Sequence, residues 1–105
     1  MHTHLAIVED RVAGFTDLDD NGHVDMLFVD PDYGRQGIAT MLLTSTMAVA
    51  RQRRIVALTT YASLTAKPLF ERHGFVVTGE RRFVRGGVEL TNFSMRCVLG
   101  ALTVD

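Results

Sequence analysis

Residues 29–40 separate two different hydrophobic patterns and read Val29-Asp30-Pro31-Asp32-Tyr33-Gly34-Arg35-Gln36-Gly37-Ile38-Ala39-Thr40. Before them, residues 23–29 alternate in the manner of a strand, and Asp30-Pro31 ends it because proline cannot donate to a sheet ladder. After them, apolar residues recur at helical spacing from Ile38 to about Arg53. The segment is therefore predicted to be a loop that leads from the end of a strand into a helix.

This loop has the composition of an anion-binding turn. The first N–H groups of a helix have no acceptor within the helix, and the helix dipole adds partial positive charge at that end. Gly37 has no Cβ to obstruct a phosphate, and Arg35 adds a full charge. Purely structural loops share these features, so the loop alone leaves both interpretations open. Neither Walker A nor GxGxxG spacing is present, which excludes those two nucleotide loops.

The remaining residues continue an alternation of strands and helices. An acidic turn is expected over residues 17–22, and the continuous β-prone run 55–58 predicts a strand covered on both faces. A second helix is predicted from about Thr65 to His73. The predicted strands are residues 4–8, 12–15, 23–29, 55–61, 75–84 and 88–98. This order predicts one α/β domain over residues 1–105, with a mixed sheet of about six strands and two helices, β-β-β-α-β-α-β-β.

Composition excludes several classes of protein. Of 105 residues, 47% are apolar and 22% are charged, and Gly and Pro are few, so the chain is neither collagen-like, disordered nor a disulfide scaffold. No apolar run approaches the ~20 residues of a bilayer span, and no leader pattern is visible. We therefore expect a cytoplasmic protein that does not associate with membranes. The single cysteine, Cys97, is predicted to be a buried hydrophobe.

Charge is distributed unevenly along the chain. Residues 1–33 carry a net charge of −7, and residues 34–105 carry +6. The basic part would suit an anionic ligand, although pairing between the two parts explains the gradient equally well. Basic residues are not interleaved with aromatic ones, so no nucleic-acid partner is predicted. His2 and His4 alone do not define a metal site, and no metal is predicted.

Two motifs lie on either side of the predicted strand 55–61. Residues 25–39 are similar to a pyrophosphate-binding segment written Q/R-x-x-G-x-G/A, and residues 63–75 are similar to N-x-x-A-x-x-F-Y-E-K-x-G-F. Together they resemble the GNAT superfamily of acetyl-CoA-dependent N-acetyltransferases, over about residues 5–98, and residues 91–96 resemble a branch of small bacterial members. The resemblance implies acetyl transfer from acetyl-CoA to a small amine. The cofactor contacts that it implies are Leu27, Phe28, Val29, Arg35, Gln36, Gly37, Ile38, Ala39, Thr40, Ser63 and Phe70.

The chain departs from the family pattern at three points. Gly34 stands where Gln or Arg is usual, and Phe70 stands where many members carry a tyrosine that acts as general acid. The sequence also starts at the family's second strand, without the leading strand and the two helices that help to form the acceptor wall. The chain is therefore expected to be an N-terminally shortened member of the family. Either a second protomer supplies the missing wall, or the chain is a fragment or a pared-down member, and we expect a homodimer because the shortened sheet should leave an apolar face or an open edge uncovered.

Acetyl transfer to an amine requires a group that takes a proton. An alkyl amine has a pKa near ~10.4 and is mostly protonated at neutral pH. In simple alternation His23 and Asp25 share one strand face with Leu27 and Val29, and His23 falls where several relatives place a glutamate base. His23 and Asp25 are the candidate bases, and Tyr61 is the candidate acid. A backbone N–H near residues 28–29 is expected to stabilise the developing oxyanion.

A second function remains open at this stage. The chain could be a non-catalytic CoA-binding or dimerisation module derived from such a domain. Phe70 and the absent leading helices favour this alternative. Both hypotheses require binding of acetyl-CoA, and they differ in whether acetyl transfer follows.

Overall fold

A computed structural model describes residues 2–34 and 37–99, apart from the side chain of Met26. Six strands and two helices follow one another in the predicted order, which is confirmed: β1 (His2–Val8), β2 (Arg11–Leu18), β3 (His23–Val29), α1 (Ile38–Gln52), β4 (Ala57–Ser63), α2 (Lys67–Arg72), β5 (Val76–Arg85) and β6 (Val88–Val98). A short 3-10 turn, Pro31–Tyr33, precedes α1. Neither described helix is long and apolar enough to span a bilayer.

The strands form one mixed sheet in the order β1-β2-β3-β4-β6-β5. Neighbouring strands are antiparallel except β3 and β4, which are parallel and are connected through α1. The sheet therefore divides at the β3/β4 boundary. The first three strands, from the acidic part of the sequence, lie on one side, and the last three, from the basic part, lie on the other.

Both helices pack on the same face of the sheet. The main core joins Leu43 and Met47 of α1 and Phe70 of α2 to buried residues of the central strands, among them Leu58 and Met95. The opposite face, which we call the open face, carries no described helix. Burial accordingly alternates along β4, so the prediction of a strand covered on both faces is wrong. A parallel pair is usually sandwiched between helices, but the described residues supply helices on one face only.

Three element boundaries differ from the prediction. β2 runs on to Leu18, inside the expected acidic turn, because the fully buried Leu18 side chain joins the core. β4 begins at Ala57 because the N–H of Ile55 still donates to the carbonyl of Ala50 at the end of α1. α2 begins at Lys67, which places Pro68 in the first turn, where its missing N–H is harmless.

β3 contains a bulge that reverses its alternation. Two residues of β3, Met26 and Leu27, lie opposite one residue of β2, Thr16. After the bulge, Leu27 and Val29 pack on the helix side of the sheet, whereas His23 lies on the open face. The expectation that these residues share one face in simple alternation is therefore wrong.

β3 and β4 form a fork. Their ladder contains only the pairs His23↔Thr59 and Val24↔Thr60, although both strands continue beyond them. The paired end is held together by the Thr60 hydroxyl, which donates to the carbonyl of Val24, and by the N–H of Thr59, which donates to the carbonyl of Gly22. Beyond this end the facing backbone edges of the two strands are not paired with each other.

Gly22 sets how closely the two strands approach at the paired end of the fork. Its φ is +89°, and an added Cβ would lie 2.4 Å from the carbonyl oxygen of Ala57. Gly86 has a positive φ of +58° as well, but an added Cβ there would meet nothing within 4 Å. The two glycines therefore separate the cost of the left-handed backbone from the cost of the close contact.

We expect Gly22→Ala to destabilise the fold more than Gly86→Ala. Alanine in the left-handed region costs about 1–2 kcal/mol at either position. At Gly22 the overlap with the Ala57 carbonyl adds roughly 1–3 kcal/mol, as overpacking does elsewhere. Urea unfolding followed by circular dichroism measures both free energies. Equal losses in the two variants would show that the contact with β4 does not limit the approach of the strands.

Candidate functional site

A groove of about 510 Å³ opens on the helix side of the fork. It extends from the separated ends of β3 and β4 to the beginnings of α1 and α2. Its lining residues are Leu27, Val29, Tyr33, Gly34, Gly37, Ile38, Ala39, Thr40, Ser63, Thr65, Ala66, Leu69 and Arg72. The groove thus contains seven of the predicted cofactor contacts: Leu27, Val29, Gly37, Ile38, Ala39, Thr40 and Ser63.

One end of the groove is formed by the first turn of α1. The first hydrogen bond of the helix runs from the N–H of Met41 to the carbonyl of Gly37. The N–H groups of residues 38–40 precede it and are without acceptors inside the helix. Gly37 has a φ of +75°, and an added Cβ would meet nothing within 4 Å, so the space beside this backbone is open. Such a turn can accept an anion along the helix dipole.

The loop before α1 is held by its own side chains and backbone. The Asp30 carboxylate accepts a hydrogen bond from the N–H of Asp32 at 2.9 Å. The N–H groups of Tyr33 and Gly34 donate to the carbonyls of Asp30 and Pro31. The loop therefore keeps its shape through local contacts while Tyr33 and Gly34 face the groove. Arg35 and Gln36, two predicted cofactor contacts, lie outside the described residues.

α2 supplies a wall of the groove that the sequence interpretation missed. Ala66, Leu69 and Arg72 line it, and their spacing of three residues places them on one side of the helix. Arg72 brings a cation to the groove. The Ser63 hydroxyl also lines the groove and accepts a hydrogen bond from the N–H of Ala66 at 3.1 Å. Helical spacing groups these residues on one side of α2, but it does not say whether that side faces the core or the groove.

The edge of β3 offers backbone hydrogen-bonding groups to the fork. The N–H of Asp30 donates to the carbonyl of Ala13 in β2. Successive N–H groups of an extended chain point to opposite edges, so that of Val29 points away from β2 and towards the fork. Phe28 lies differently: its carbonyl faces Gly14 of β2, and its ring packs against Phe15 with centroids 5.6 Å apart. Of residues 28 and 29, Val29 is therefore the one that can donate into the fork.

Phe70 is also placed away from the groove. It is 2% exposed, belongs to the main core, and meets Phe75 edge to face at 5.1 Å. Neither Phe28 nor Phe70 lines the groove, although both were predicted to contact the cofactor. The aromatic residue of the second motif packs in the core. The motif therefore does not say which side of α2 faces a ligand.

The predicted catalytic residues lie on the open face. The Nδ1 atom of His23 is 2.9 Å from the Thr59 hydroxyl, and its ring lies 5.2 Å from that of Tyr61. The guanidinium of Arg81 lies 4.1 Å above the Tyr61 ring. Asp25 is exposed and pairs across the ladder with Asp17 of β2. His23 and Tyr61 are thus brought together, and Asp25 lies beside them without a described contact to either.

A second cavity, of about 210 Å³, lies next to this cluster. Its lining comes from β3, β4, β5 and β6: His23, Thr59, Thr60, Tyr61, Thr78, Ser94, Met95 and Arg96. We call it the open-face pocket. Tyr61 stands at the point where the fork begins to open, so the open-face pocket and the groove approach the fork from the two faces of the sheet.

Asp19 fixes the turn that leads into His23. Its carboxylate accepts hydrogen bonds from the N–H groups of His23 and Asn21, both at 2.9 Å. The bond from His23 is the main cause of a lowered pKa of the Asp19 carboxyl. Within residues 2–34 and 37–99, no three His, Cys, Asp or Glu side chains lie close enough to hold a metal ion.

His73 and Cys97 have structural roles outside the two cavities. His73 donates from Nδ1 to the carbonyl of Leu69 at the end of α2, which agrees with a role in the helix terminus. Cys97 is buried, as expected, and burial raises the pKa of its thiol. A buried neutral thiol is a poor nucleophile. Neither side chain lines the groove or the open-face pocket.

Comparison with known proteins identifies the fold and the family. An acetyltransferase (GNAT) domain matches residues 1–97. The uncharacterized N-acetyltransferase YafP of Escherichia coli strain K12 is 40% identical over 92 residues, which are 88% of this chain and 57% of that protein. A GCN5-related N-acetyltransferase from Rhodopseudomonas palustris superposes with a TM-score of 0.83 at 30% identity, over 91% of this chain and 60% of the other.

A further structure shows the fold at lower identity. The protein yncA of Salmonella typhimurium, solved with its cofactor acetyl-CoA, has a TM-score of 0.84 at 18% identity, over 98% of this chain and 67% of its own. The chain spans a little over half the length of YafP and of the Rhodopseudomonas protein. With a domain match over nearly all its described length and a relative of 40% identity, the chain belongs to the GNAT acetyltransferase family.

Proposed function

We propose that this chain binds acetyl-CoA in the groove and transfers its acetyl group to the amine of a small acceptor. The observation that carries the proposal is the fork: β3 and β4 part after two residue pairs, and the opening continues as a groove to the start of α1. A phosphate site at one end and unpaired strand edges at the other match the two ends of such a cofactor. The activity expected of the family supports the same conclusion.

The residues that line the groove fit the chemistry of the cofactor. The N–H groups of residues 38–40 and the cation of Arg72 suit the phosphates, and the open space beside Gly37 allows them to approach. The N–H of Val29 and its strand edge suit the amide-bearing arm, as an added strand would pair. When bound, acetyl-CoA supplies an acetyl thioester, a reactive acyl group with a thiolate leaving group.

Proton transfer falls to the cluster on the open face. His23 is the proposed general base, oriented by its contact with the Thr59 hydroxyl. The N–H of Val29 lies at the other end of β3 from His23, roughly 20 Å away at ~3.3 Å per residue. It therefore suits the cofactor arm, and the expected oxyanion contact at residues 28–29 does not fit an acetyl group that reacts beside His23. A thiol has a pKa near ~8.5, so a thiolate leaves without much help from an acid. Acetyl transfer is therefore possible although Phe70, buried in the core, stands in place of the family's tyrosine acid. Tyr61 stays the proposed donor to the departing sulfur.

A homodimer is proposed from an apolar patch on the open face. Leu5, Phe15 and Phe28 lie in one row across β1, β2 and β3, and Ile7 and Val12 adjoin them. Leu5, Ile7, Val12 and Phe28 are all more than 40% exposed. A second copy that covers this patch would also wall the acceptor side of the fork. A cytoplasmic location and the absence of metal, membrane and nucleic-acid partners stay predictions from the sequence.

The first test concerns the phosphate end of the groove. We expect Gly37→Ala to weaken acetyl-CoA binding at least tenfold, because its Cβ would occupy the space through which phosphate reaches the backbone N–H groups. Gly86→Ala is the matched control, since it carries similar backbone strain far from the groove. Isothermal titration calorimetry measures both. Unchanged affinity in Gly37→Ala would remove the loop from the site, and wild-type protein that binds nothing at millimolar ligand would reject acetyl-CoA binding altogether.

The second test separates transfer from mere binding. With a panel of amines, we expect wild-type protein to release free thiol from acetyl-CoA, and His23→Gln to be slower by roughly 10²- to 10⁴-fold, the usual contribution of a positioned base. His2→Gln, at the start of β1, should keep the wild-type rate. A His23→Gln variant of full activity would transfer the role to Asp25. Acetyl-CoA binding with no thiol release from any amine would favour the non-catalytic module.

The third test concerns association. We expect wild-type protein to sediment as a dimer at micromolar concentration and Leu5→Asp to sediment as a monomer, because a carboxylate would be buried in the apolar patch. Val84→Asp, at a more exposed apolar position near the end of β5, should leave the dimer intact. Wild-type protein that sediments as a monomer would contradict the dimer and would leave the groove unaffected.

A further inference from the structure

The open-face pocket has a chemical character of its own. Four residues that carry hydroxyls line it, namely Thr59, Tyr61, Thr78 and Ser94, together with His23 and Arg96. No carboxylate belongs to its lining. A cavity bordered by several hydroxyl groups and a cation is suited to a small polar group with negative charge.

Arg96 is placed to supply that cation. Its residue lies in one row across the sheet with Thr59 and His23, because Thr59 pairs with His23 on one side and with Arg96 on the other. With strands ~4.8 Å apart, the backbones of His23 and Arg96 are about 10 Å from each other. Arg96 is exposed, and among the described side chains no carboxylate lies within ion-pair distance of its guanidinium.

Beyond the β3 border of the pocket, outside its lining, the nearby side chains are negatively charged. Asp25 follows His23 on the same strand face, and Asp17 lies directly across from it in β2. Arg81, which covers Tyr61, adds a cation on the Arg96 side. A ligand in the open-face pocket would therefore have carboxylates beyond the pocket lining on the β3 side, and guanidinium groups on the β6 and β5 side. That field favours a zwitterion oriented with its ammonium towards β3 and its anion towards β6.

We propose that the open-face pocket binds an acceptor that carries a carboxylate close to its amine, as an amino acid does, and that Arg96 binds this carboxylate. The proposal rests on the acetyl transfer proposed above and names the class of its acceptor. The amine lies beside His23, next to the opening of the fork. In the reaction the amine nitrogen bonds to the acetyl carbon and the carbon–sulfur bond breaks. The ammonium loses two protons: His23 takes one, and the other replaces the proton that Tyr61 gives to the departing thiolate.

The kinetic test compares acceptors that differ only in the anion. L-Alanine, L-phenylalanine and L-glutamine are assayed beside their carboxamides, with thiol release as the measure. We expect wild-type protein to prefer each amino acid over its carboxamide at least tenfold in kcat/KM. Arg96→Gln should raise KM for the amino acids roughly ten- to a hundredfold, as expected for the loss of a hydrogen bond to a charged group, and leave the carboxamides unchanged.

Two further variants make the result specific. Arg96→Lys keeps the charge and should restore part of the preference. Arg82→Gln is the matched control. Arg82 lies in β5 on the sheet face opposite to the pocket, where it pairs with Glu80 of the same strand. Equal turnover of amino acids and carboxamides by wild-type protein, or an Arg96→Gln variant that slows both classes alike, would overturn the proposal. Both outcomes leave acetyl transfer itself in place.

A binding measurement tests the carboxylate site even if the protein shows no acetyl transfer. Isotope-labelled protein is titrated with L-phenylalanine and with L-phenylalaninamide while the resonances of His23 and Arg96 are followed by NMR. Saturable chemical-shift changes with L-phenylalanine would support the carboxylate site, provided that the affinity is at least tenfold lower for L-phenylalaninamide. The affinity of the Arg96→Gln variant for L-phenylalanine should be lower by a similar factor. Equal shifts with both ligands, or none, would reject it. Because acetyl-CoA is absent, this result is independent of the proposed activity.

Discussion

The short parallel ladder between β3 and β4 is the interaction on which the site depends. Three contacts hold the two halves of the sheet together. They are the two residue pairs of the ladder, the hydrogen bond from the Thr60 hydroxyl to the carbonyl of Val24, and the close approach of the strands at Gly22. A longer ladder would close the fork and bury the strand edges in each other. A weaker one would let the halves separate, since the main core spans this boundary. Pairing at one end only leaves backbone groups that a bound ligand can satisfy.

The position of α1 follows from the same boundary. Leu43 and Met47 pack over the central strands, while Ile38 and Leu42 at the start of the helix reach β1 and β2. Gly14 permits this contact, because an added Cβ would lie 3.1 Å from Leu42 and 2.5 Å from the carbonyl of Phe28. The first turn of α1 is therefore held against β2 by packing, and its open N–H groups stay at the end of the groove. Core packing and ligand geometry are set by one helix.

Local sequence patterns predicted the elements well and their faces poorly. Proline after β3 and the apolar period after Gly37 placed the loop and the start of α1 at Ile38, where the structure has it. The bulge at Met26 and Leu27 could not be predicted, because it arises from pairing with β2 and has no sequence mark such as glycine. Every side-chain direction after it was consequently inverted. Phe70 and Arg72 show the same limit, since helical spacing does not say which side of a short helix meets the core.

The charge gradient along the chain acquires a spatial meaning in the fold. The strand order places the acidic strands β1 to β3 on one side of the fork and the basic part of the chain on the other. Pairing between the two parts is limited among the described residues: Asp20 is the only acid of β1 to β3 and their connecting turns that contacts a cation from beyond the fork, at Arg53. Most of the opposite charges are therefore left to act across the sheet. A dipolar ligand at the fork would align along this field, whereas a ligand of one charge would be attracted on one side and repelled on the other.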